Sequence, residues 1–168
     1  MGPERPRESA LPRPDITMTS AEIRDFLEEG RTLQVASLHP DGRPHLVPMW
    51  YVVDEGRLVF RSFSSSQKIR NLRRDPRLSA LVETGQAYAE LRGVMIQGRA
   101  RLLDDPAYVL ALYGKLAAKY PMVGGAPRAL SGGELEAAFG RYAANNTAVV
   151  VEAERVASWD HRKLTRAY

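Results

Sequence analysis

Between residues 32 and 103 the sequence repeats one pattern, in which apolar residues occupy alternate positions and short turns interrupt them. Alternation with period two is typical of a strand with one buried face. Turns such as Pro40-Asp41-Gly42 favour antiparallel pairing of the strands that they join. The predicted strands, including one later in the chain, are Thr32–Leu38, Pro44–Val53, Arg57–Phe63, Arg77–Glu83, Tyr88–Leu103 and Thr147–Ala153. Six such strands predict a mainly β domain built as a small antiparallel barrel, not a doubly wound sheet.

Helices are predicted on the periphery of this barrel. Thr19 and Glu22 match the T-x-x-E capping box, and Ser131 and Glu134 match a second one. Asp105-Pro106 places proline at the favoured first position of another helix. The predicted helices cover residues 19–30, 105–121 and 131–145, in addition to a short one described below.

The organisation of the chain is predicted to be simple. Residues 1–16 contain four prolines and are expected to form a disordered leader, and residues 17–168 are expected to form one domain. The last residues, from Val156 to Tyr168, are expected to be a short tail. The sequence has no cysteine, no signal-peptide pattern and no apolar run that could span a membrane, so a cytoplasmic location is expected. A net charge of +4 favours anionic ligands only mildly.

The stretch from Arg57 to Arg77 carries an unusual placement of charge. Its strand pattern ends in three serines at 64–66, and a short basic helix predicted after them ends at Asp75-Pro76. Lys68 and Arg70 lie in or near the first helical turn, where cations oppose the helix macrodipole. A phosphate bound at that N-terminus would remove the conflict. A solvated basic face is the alternative interpretation.

Other catalytic signals are weak. His39 and His45 flank a turn and are predicted to be exposed, while His161 is distant in sequence, so no metal site is expected. No nucleophile motif or acid–base pair stands out, so a bound cofactor would have to carry any chemistry. Either Trp50 or Tyr51 is expected to face the core. For Trp159, in the polar C-terminal segment, ring stacking or a subunit interface and simple packing remain open.

Four motifs resemble one family. They are G-R-P-x-x-x-P-M-W-Y at 42–51, R-N-L-R-R-D-P-R at 70–77, R-G-V-M-I-Q-G-R-A at 92–100 and S-W-D-H-R-K-L at 158–164. Together they resemble the pyridoxamine 5′-phosphate oxidase-like split-barrel superfamily, and within it the flavin/deazaflavin oxidoreductases that use coenzyme F420. The resemblance covers about residues 17–164.

The resemblance implies a split β-barrel that forms a homodimer, with the cofactor at the subunit interface. It implies a phosphate-binding turn at Ser62, Ser66, Gln67 and Lys68, with Arg61 near the phosphate. Arg70 and Arg74, as cations beside a groove, are expected to attract an anionic tail of the cofactor. It implies that the strand beside the cofactor ring contains Val47, Pro48, Met49 and Trp50. Trp159 is similar to a flavin-binding tryptophan of the vitamin B6 oxidases.

Two departures from those oxidases favour coenzyme F420 over FMN. The oxidase strand equivalent to residues 47–52 begins and ends with basic residues, where this chain has Val47 and Val52. The oxidase turn has Arg-Lys where this chain has Gln67-Lys68. These differences argue against oxidation of pyridoxine phosphate.

The expected activity is therefore transfer of a hydride from a bound deazaflavin to a small unsaturated or quinone-like molecule. An FMN-dependent oxidase or reductase and a non-catalytic flavin- or haem-binding protein are the alternatives, since a fold does not fix a function. A nucleic-acid binder built on Arg70–Arg77 is disfavoured, because no aromatic residue interleaves with those arginines.

Overall fold

The structure, a computed structural model, describes residues 15–122 and 125–164, so most of the predicted leader lies outside the described residues. The helices are α1 (Ser20–Glu29), α2 (Gln67–Arg74), α3 (Pro106–Lys119) and α4 (Gly132–Ala143). The strands are β1 (Leu33–Leu38), β2 (Pro44–Met49), β3 (Val52–Asp54), β4 (Arg57–Phe63), β5 (Arg77–Thr84), β6 (Arg92–Leu103) and β7 (Asn146–Asp160). Both predicted capping boxes are formed, by Thr19 with Glu22 and by Ser131 with Glu134.

All seven strands belong to one antiparallel sheet in the order β2-β1-β5-β6-β7-β4-β3. The sheet curls into a half-barrel, and the helices lie around it, which confirms the predicted split barrel. The longest pairing joins β6 to β7, from Arg92 opposite Asp160 to Leu103 opposite Ala148, with a register shift at Gln97/Gly98.

The prediction of a single strand over Pro44–Val53 is wrong. The chain leaves β2 after Met49 and enters β3 at Val52, and these two strands form opposite edges of the sheet. The break is at Tyr51, which is fully buried and whose N–H donates to the Tyr120 hydroxyl at 3.2 Å instead of to a neighbouring strand. Pro48 lies on an edge strand, as its missing N–H requires.

Two further boundaries were predicted wrongly. The strand β7 does not end at Ala153 but continues to Asp160, through residues expected to form a tail. The polar stretch Glu152–Arg155 caused the wrong prediction. Its side chains are exposed, so it lacks the pattern of a buried strand, but its backbone pairs with β6. At the start of β6, Tyr88–Glu90 form a 3-10 turn, and the strand begins at Arg92.

Strand β4 and the first part of β7 are covered on both faces. Leu58, Phe60 and Val149 belong to a core enclosed by the curled sheet, together with residues of α1 and α2. Val59 and Val150 belong to a second core against α3 and α4. Burial on both faces explains the continuous apolar run of β7 near its start. Within the described residues no helix is long and apolar enough to cross a membrane.

Candidate functional site

The turn between β4 and α2 gathers two serines and a lysine. We call the segment Ser62–Lys68 the serine turn. Ser66 occupies the N-cap position of α2, as predicted, but its hydroxyl lies 3.0 Å from that of Ser62 and makes no capping hydrogen bond. The Lys68 ammonium donates to the Ser62 hydroxyl at 3.0 Å. The first N–H groups of α2 therefore lack a side-chain cap, beside a cation and two hydroxyls.

Lys68 lacks a negatively charged partner among the described residues. Its side chain is partly buried, and this burial lowers the pKa of its ammonium group. No carboxylate within the described part of the chain forms an ion pair with it. An anion at the serine turn would compensate both this charge and the free N–H groups of the helix N-terminus.

Arg61, on β4, is a second partly buried cation. Its guanidinium lies over the ring of Tyr113, 4.2 Å from the centroid, and donates to the Asn146 side chain at 3.2 Å. Burial lowers its pKa, although the arginine remains charged. Among the described residues it has no carboxylate partner, and an anionic ligand would supply a counter-charge.

Arg61 and Ser62 also line a cavity of about 380 Å³ between the end of β2 and the end of β4. The other lining residues are Thr32, Pro48, Met49, Trp50, Phe63 and Leu116. Three of the four predicted ring-binding residues thus meet two predicted phosphate-binding residues in one cavity. Val47 does not line it, and pairs with Val35 in the sheet.

Trp50 forms an aromatic wall of the cavity. Its ring stacks on Tyr120, with centroids 4.7 Å apart and planes at 12°, yet 45% of the residue is exposed. Tyr120 is held in turn by its hydroxyl, which donates to the Tyr51 carbonyl at 2.8 Å. An exposed aromatic ring fixed from behind provides a flat apolar surface for a planar ligand.

The basic helix mostly serves the fold. Arg73 forms a bidentate ion pair with Asp104, with both bonds 2.9 Å long. Arg74 donates to the Leu38 carbonyl, and so connects α2 to β1. Arg77 pairs with Asp75, two residues before it. These contacts leave little of the predicted basic run available to nucleic acid.

The remaining predicted phosphate residues lie at the outer side of the serine turn. The Gln67 amide donates to Asn71 at 2.8 Å, and its carbonyl oxygen accepts from Arg70 at 2.9 Å. Arg70 is exposed and forms no ion pair with any carboxylate in the described part of the chain. It is therefore available to an anionic group that extends beyond the turn.

Trp159 is not brought to this site within one chain. It lies on β7 opposite Gly93, at the other end of the strand from Thr147, which pairs with Ser62. Its ring covers Gly93 so closely that a Cβ at residue 93 would lie 2.1 Å from the tryptophan ring.

Four residues of the site were missed by sequence reasoning. Tyr113 and Asn146 contact Arg61, and Tyr120 supports Trp50, but all three come from other elements and no sequence motif singled them out. His45 was expected to be exposed, which is wrong, since its Nδ1 is buried without a hydrogen-bond partner among the described residues. The alternation of β2 was the available signal, because it places His45 on the same face as Met49.

The sequence of residues 19–160 matches the family model described as pyridoxamine 5′-phosphate oxidase. A conserved hypothetical protein of Mycobacterium tuberculosis, Rv2991, is 37% identical, with a TM-score of 0.82 and 92% of each chain covered. An F420 reductase is 24% identical, with a TM-score of 0.60 over 79% of this chain and 94% of the other. A FAD-binding protein from Mesorhizobium loti is 22% identical, with a TM-score of 0.60 over 84% of this chain and 94% of the other. The last two likenesses show a shared fold. The search of curated proteins found no match.

Proposed function

Because this chain belongs to the pyridoxamine 5′-phosphate oxidase family, we propose that it is an oxidoreductase that binds a deazaflavin of the coenzyme F420 type. Its substrate in this proposal is a small unsaturated or quinone-like molecule. When bound, the deazaflavin would supply a hydride. The absence of cysteine supports a reducing compartment, and we place the protein in the cytoplasm.

The serine turn carries the proposal. Lys68 and Arg61 are partly buried cations without carboxylate partners in the described part of the chain. Lys68 adjoins the Ser62 hydroxyl and the uncapped start of α2, and Arg61 lines the same cavity as Ser62. These donors fit a phosphate group and do not need a metal ion. The Ser62 and Ser66 hydroxyls would donate to its oxygens, and Lys68 would supply a charge-assisted hydrogen bond.

The cavity beside the turn fits a planar ring. Trp50 and Met49 would contact its face, while the backbone from Pro48 to Trp50 would fix its position. The apolar part of the lining would exclude water from one side of a bound ring and so protect its chemistry from side reactions. No side chain with an obvious acid–base role lines the cavity, so the protein contributes mainly by orientation.

A homodimer is part of the proposal. The β7 segment from Glu152 to Ala157 is exposed along its length, and Val156 is 50% exposed. Trp50 and Phe63, at the cavity, are exposed apolar residues as well. A second copy that covers these surfaces would bury them, and it offers a way for Trp159 to reach the cavity of its partner.

We propose coenzyme F420 before FMN as the cofactor because of the sequence differences described above at Val47, Val52 and Gln67. FMN is the alternative cofactor, because the serine turn would hold the phosphate of either molecule. The F420 reductase among the structural relatives, although only 24% identical, agrees with the first choice.

A competitive binding titration tests the proposal. The full chain is freed of cofactor and titrated with the deazaflavin and with FMN, with fluorescence as the readout. We expect tighter binding of the deazaflavin, followed by steady-state turnover of quinone-like acceptors when the reduced cofactor is supplied. Tighter binding of FMN would reverse the cofactor assignment. Binding without turnover of any acceptor would indicate a carrier.

A further inference from the structure

His45 lies opposite a buried serine that α2 contacts, and it has no assigned role. It is on β2, where it pairs with Ser37 of β1. Ser37 is buried and accepts a hydrogen bond from Asn71, on the same helix as Lys68. Residues paired across an antiparallel ladder share a face, so His45 faces the side of the sheet that α2 covers.

The imidazole has an unmet hydrogen-bonding requirement. Its Nδ1 atom is buried and, among the described residues, has no hydrogen-bond partner. A buried polar atom left without a partner costs free energy, and such atoms are rare in native proteins. The atom would gain a partner if a ligand entered between β2 and the start of α2.

Two positively charged or titratable groups act on this ring from different segments. His39, from the turn after β1, packs edge-on against it with ring centroids 5.2 Å apart. Lys68 acts from α2. Burial, His39 and Lys68, in that order, lower the pKa of His45, with a smaller opposing contribution from its own backbone. The other charges of the turn, Asp41 and Arg43, pair with each other.

We propose that His45 is a proton-coupled ligand of the anion bound at the serine turn. In this proposal the imidazole is neutral while no anion is bound, and the charge of Lys68 acts on it. When an anion binds, the imidazole takes up one proton from solvent and then donates a hydrogen bond toward the anion. This inference rests on the proposed phosphate site, and adds to it a regulation of cofactor affinity by pH.

The sign of the pH dependence follows from linkage. Binding an anion raises the pKa of His45, so the complex holds more protons than the free protein between the two pKa values. Affinity therefore increases as the pH falls through the pKa of the complex, by at most about tenfold per pH unit for one proton. Below the pKa of the free protein the affinity becomes constant again.

Inorganic sulfate is the suitable probe, because it stays doubly charged over the whole range, whereas a phosphate monoester titrates near pH 6. Sulfate is titrated into the full chain from pH 5.5 to 8.5 at constant ionic strength, and the amide NMR signals of Gln67 and Lys68 report binding. We expect the dissociation constant of the wild type to fall as the pH falls. In His45→Gln it should be independent of pH and equal to the high-pH value of the wild type. His39→Gln, the matched control, should keep the pH dependence.

Calorimetry of the wild type in two buffers of different ionisation enthalpy gives a second measurement that does not depend on a variant. We expect net uptake of a fraction of one proton near neutral pH. Sulfate binding without proton uptake, or an unchanged pH dependence in His45→Gln, would overturn the role of His45 and leave the phosphate site intact. If sulfate does not bind at the serine turn, both proposals fail. If sulfate binds as expected but the deazaflavin does not, the proposal for His45 stands and the cofactor assignment fails.

Discussion

The Lys68 ammonium donates a hydrogen bond of 3.0 Å to the hydroxyl of Ser62, across the turn that joins β4 to α2. This bond holds a cation close to the N-terminus of a helix, where the macrodipole disfavours it. A lysine at this position is expected to lower the stability of the cofactor-free protein, and an anion bound at the proposed site would remove this cost.

Replacement of Lys68 should therefore separate binding from stability. We expect Lys68→Met to weaken cofactor binding about ten- to a hundredfold, since a charge-assisted hydrogen bond is worth roughly 1.5–3 kcal/mol. The melting temperature of the cofactor-free protein should stay the same or rise, because a partly desolvated charge is removed. Fluorescence titration and thermal unfolding measure the two effects.

Arg24→Ala, on the exposed surface of α1, is the control for Lys68→Met and should change neither quantity. Arg73 is unsuitable as a control, because its ion pair with Asp104 holds α2 in place. Equal losses in Lys68→Met and Arg24→Ala, present only at low salt, would mean that a diffuse basic surface binds the anion.

Trp50 and Tyr120 allow the aromatic wall to be tested by a matched pair of variants. We expect Trp50→Ala to weaken cofactor binding about tenfold while costing about 1 kcal/mol of stability, because much of the ring is exposed. Tyr120→Phe keeps the ring but leaves the buried N–H of Tyr51 without a partner, at a cost of about 1–3 kcal/mol.

Chemical denaturation and cofactor titration of both variants distinguish these roles. The two variants are compared at the same fraction of folded protein. If Tyr120→Phe then weakened cofactor binding as much as Trp50→Ala did, the stacked Trp50 ring would not be the feature that contacts the cofactor.

Gly93 and Trp159 form a coupled pair. A methyl group at residue 93 would overlap the Trp159 ring, so Gly93→Ala should destabilise the protein by about 1–3 kcal/mol and displace that ring. In the double variant Gly93→Ala/Trp159→Ala the overlap disappears. Its loss of stability should therefore be smaller than the sum of the losses in the two single variants.

Cofactor binding by the same variants tests the proposed role of Trp159 at a partner's site. We expect Gly93→Ala and Trp159→Ala to weaken it to a similar extent. Unchanged affinity in both would assign Trp159 to packing, and sedimentation would then show whether the dimer persists.

Asp160 should make the stability of the fold sensitive to acid. Its buried carboxylate accepts hydrogen bonds from the Arg162 side chain, the shortest being 2.6 Å, and these bonds lower its pKa. Because the folded pKa lies below that of the unfolded chain, the stabilisation is present above about pH 4 and is lost as the pH falls through the folded pKa.

We expect Asp160→Asn to cost about 1–2 kcal/mol at pH 7, since Arg162 is 57% exposed and screened by water. The difference from the wild type should shrink as the pH falls below the folded pKa of Asp160. A difference that stays undiminished in acid would mean that shape and neutral hydrogen bonds, and not the charge, account for the loss.

Local sequence patterns predicted the elements that depend on neighbouring residues. The strand β4 was predicted with its observed bounds, and the serine turn and the start of α2 follow directly from the serines and the spacing of apolar residues. Both capping boxes formed for the same reason, because their hydrogen bonds join residues only three positions apart. Lys68 was singled out by its place at the start of the predicted helix, whereas Arg61 was named only through the family resemblance.

Tertiary contacts decided everything that depends on a distant partner. The chain breaks at Tyr51 because its N–H and hydroxyl bond to Tyr120 and Leu27, which no periodicity reveals. The polar half of β7 is a strand because β6 is long enough to pair with it. The Ser66 hydroxyl had two possible partners, its own helix or Ser62, and the approach of β4 selected Ser62. An amino-acid sequence predicts which groups need a partner, but only packing determines which group lies within a hydrogen bond's length.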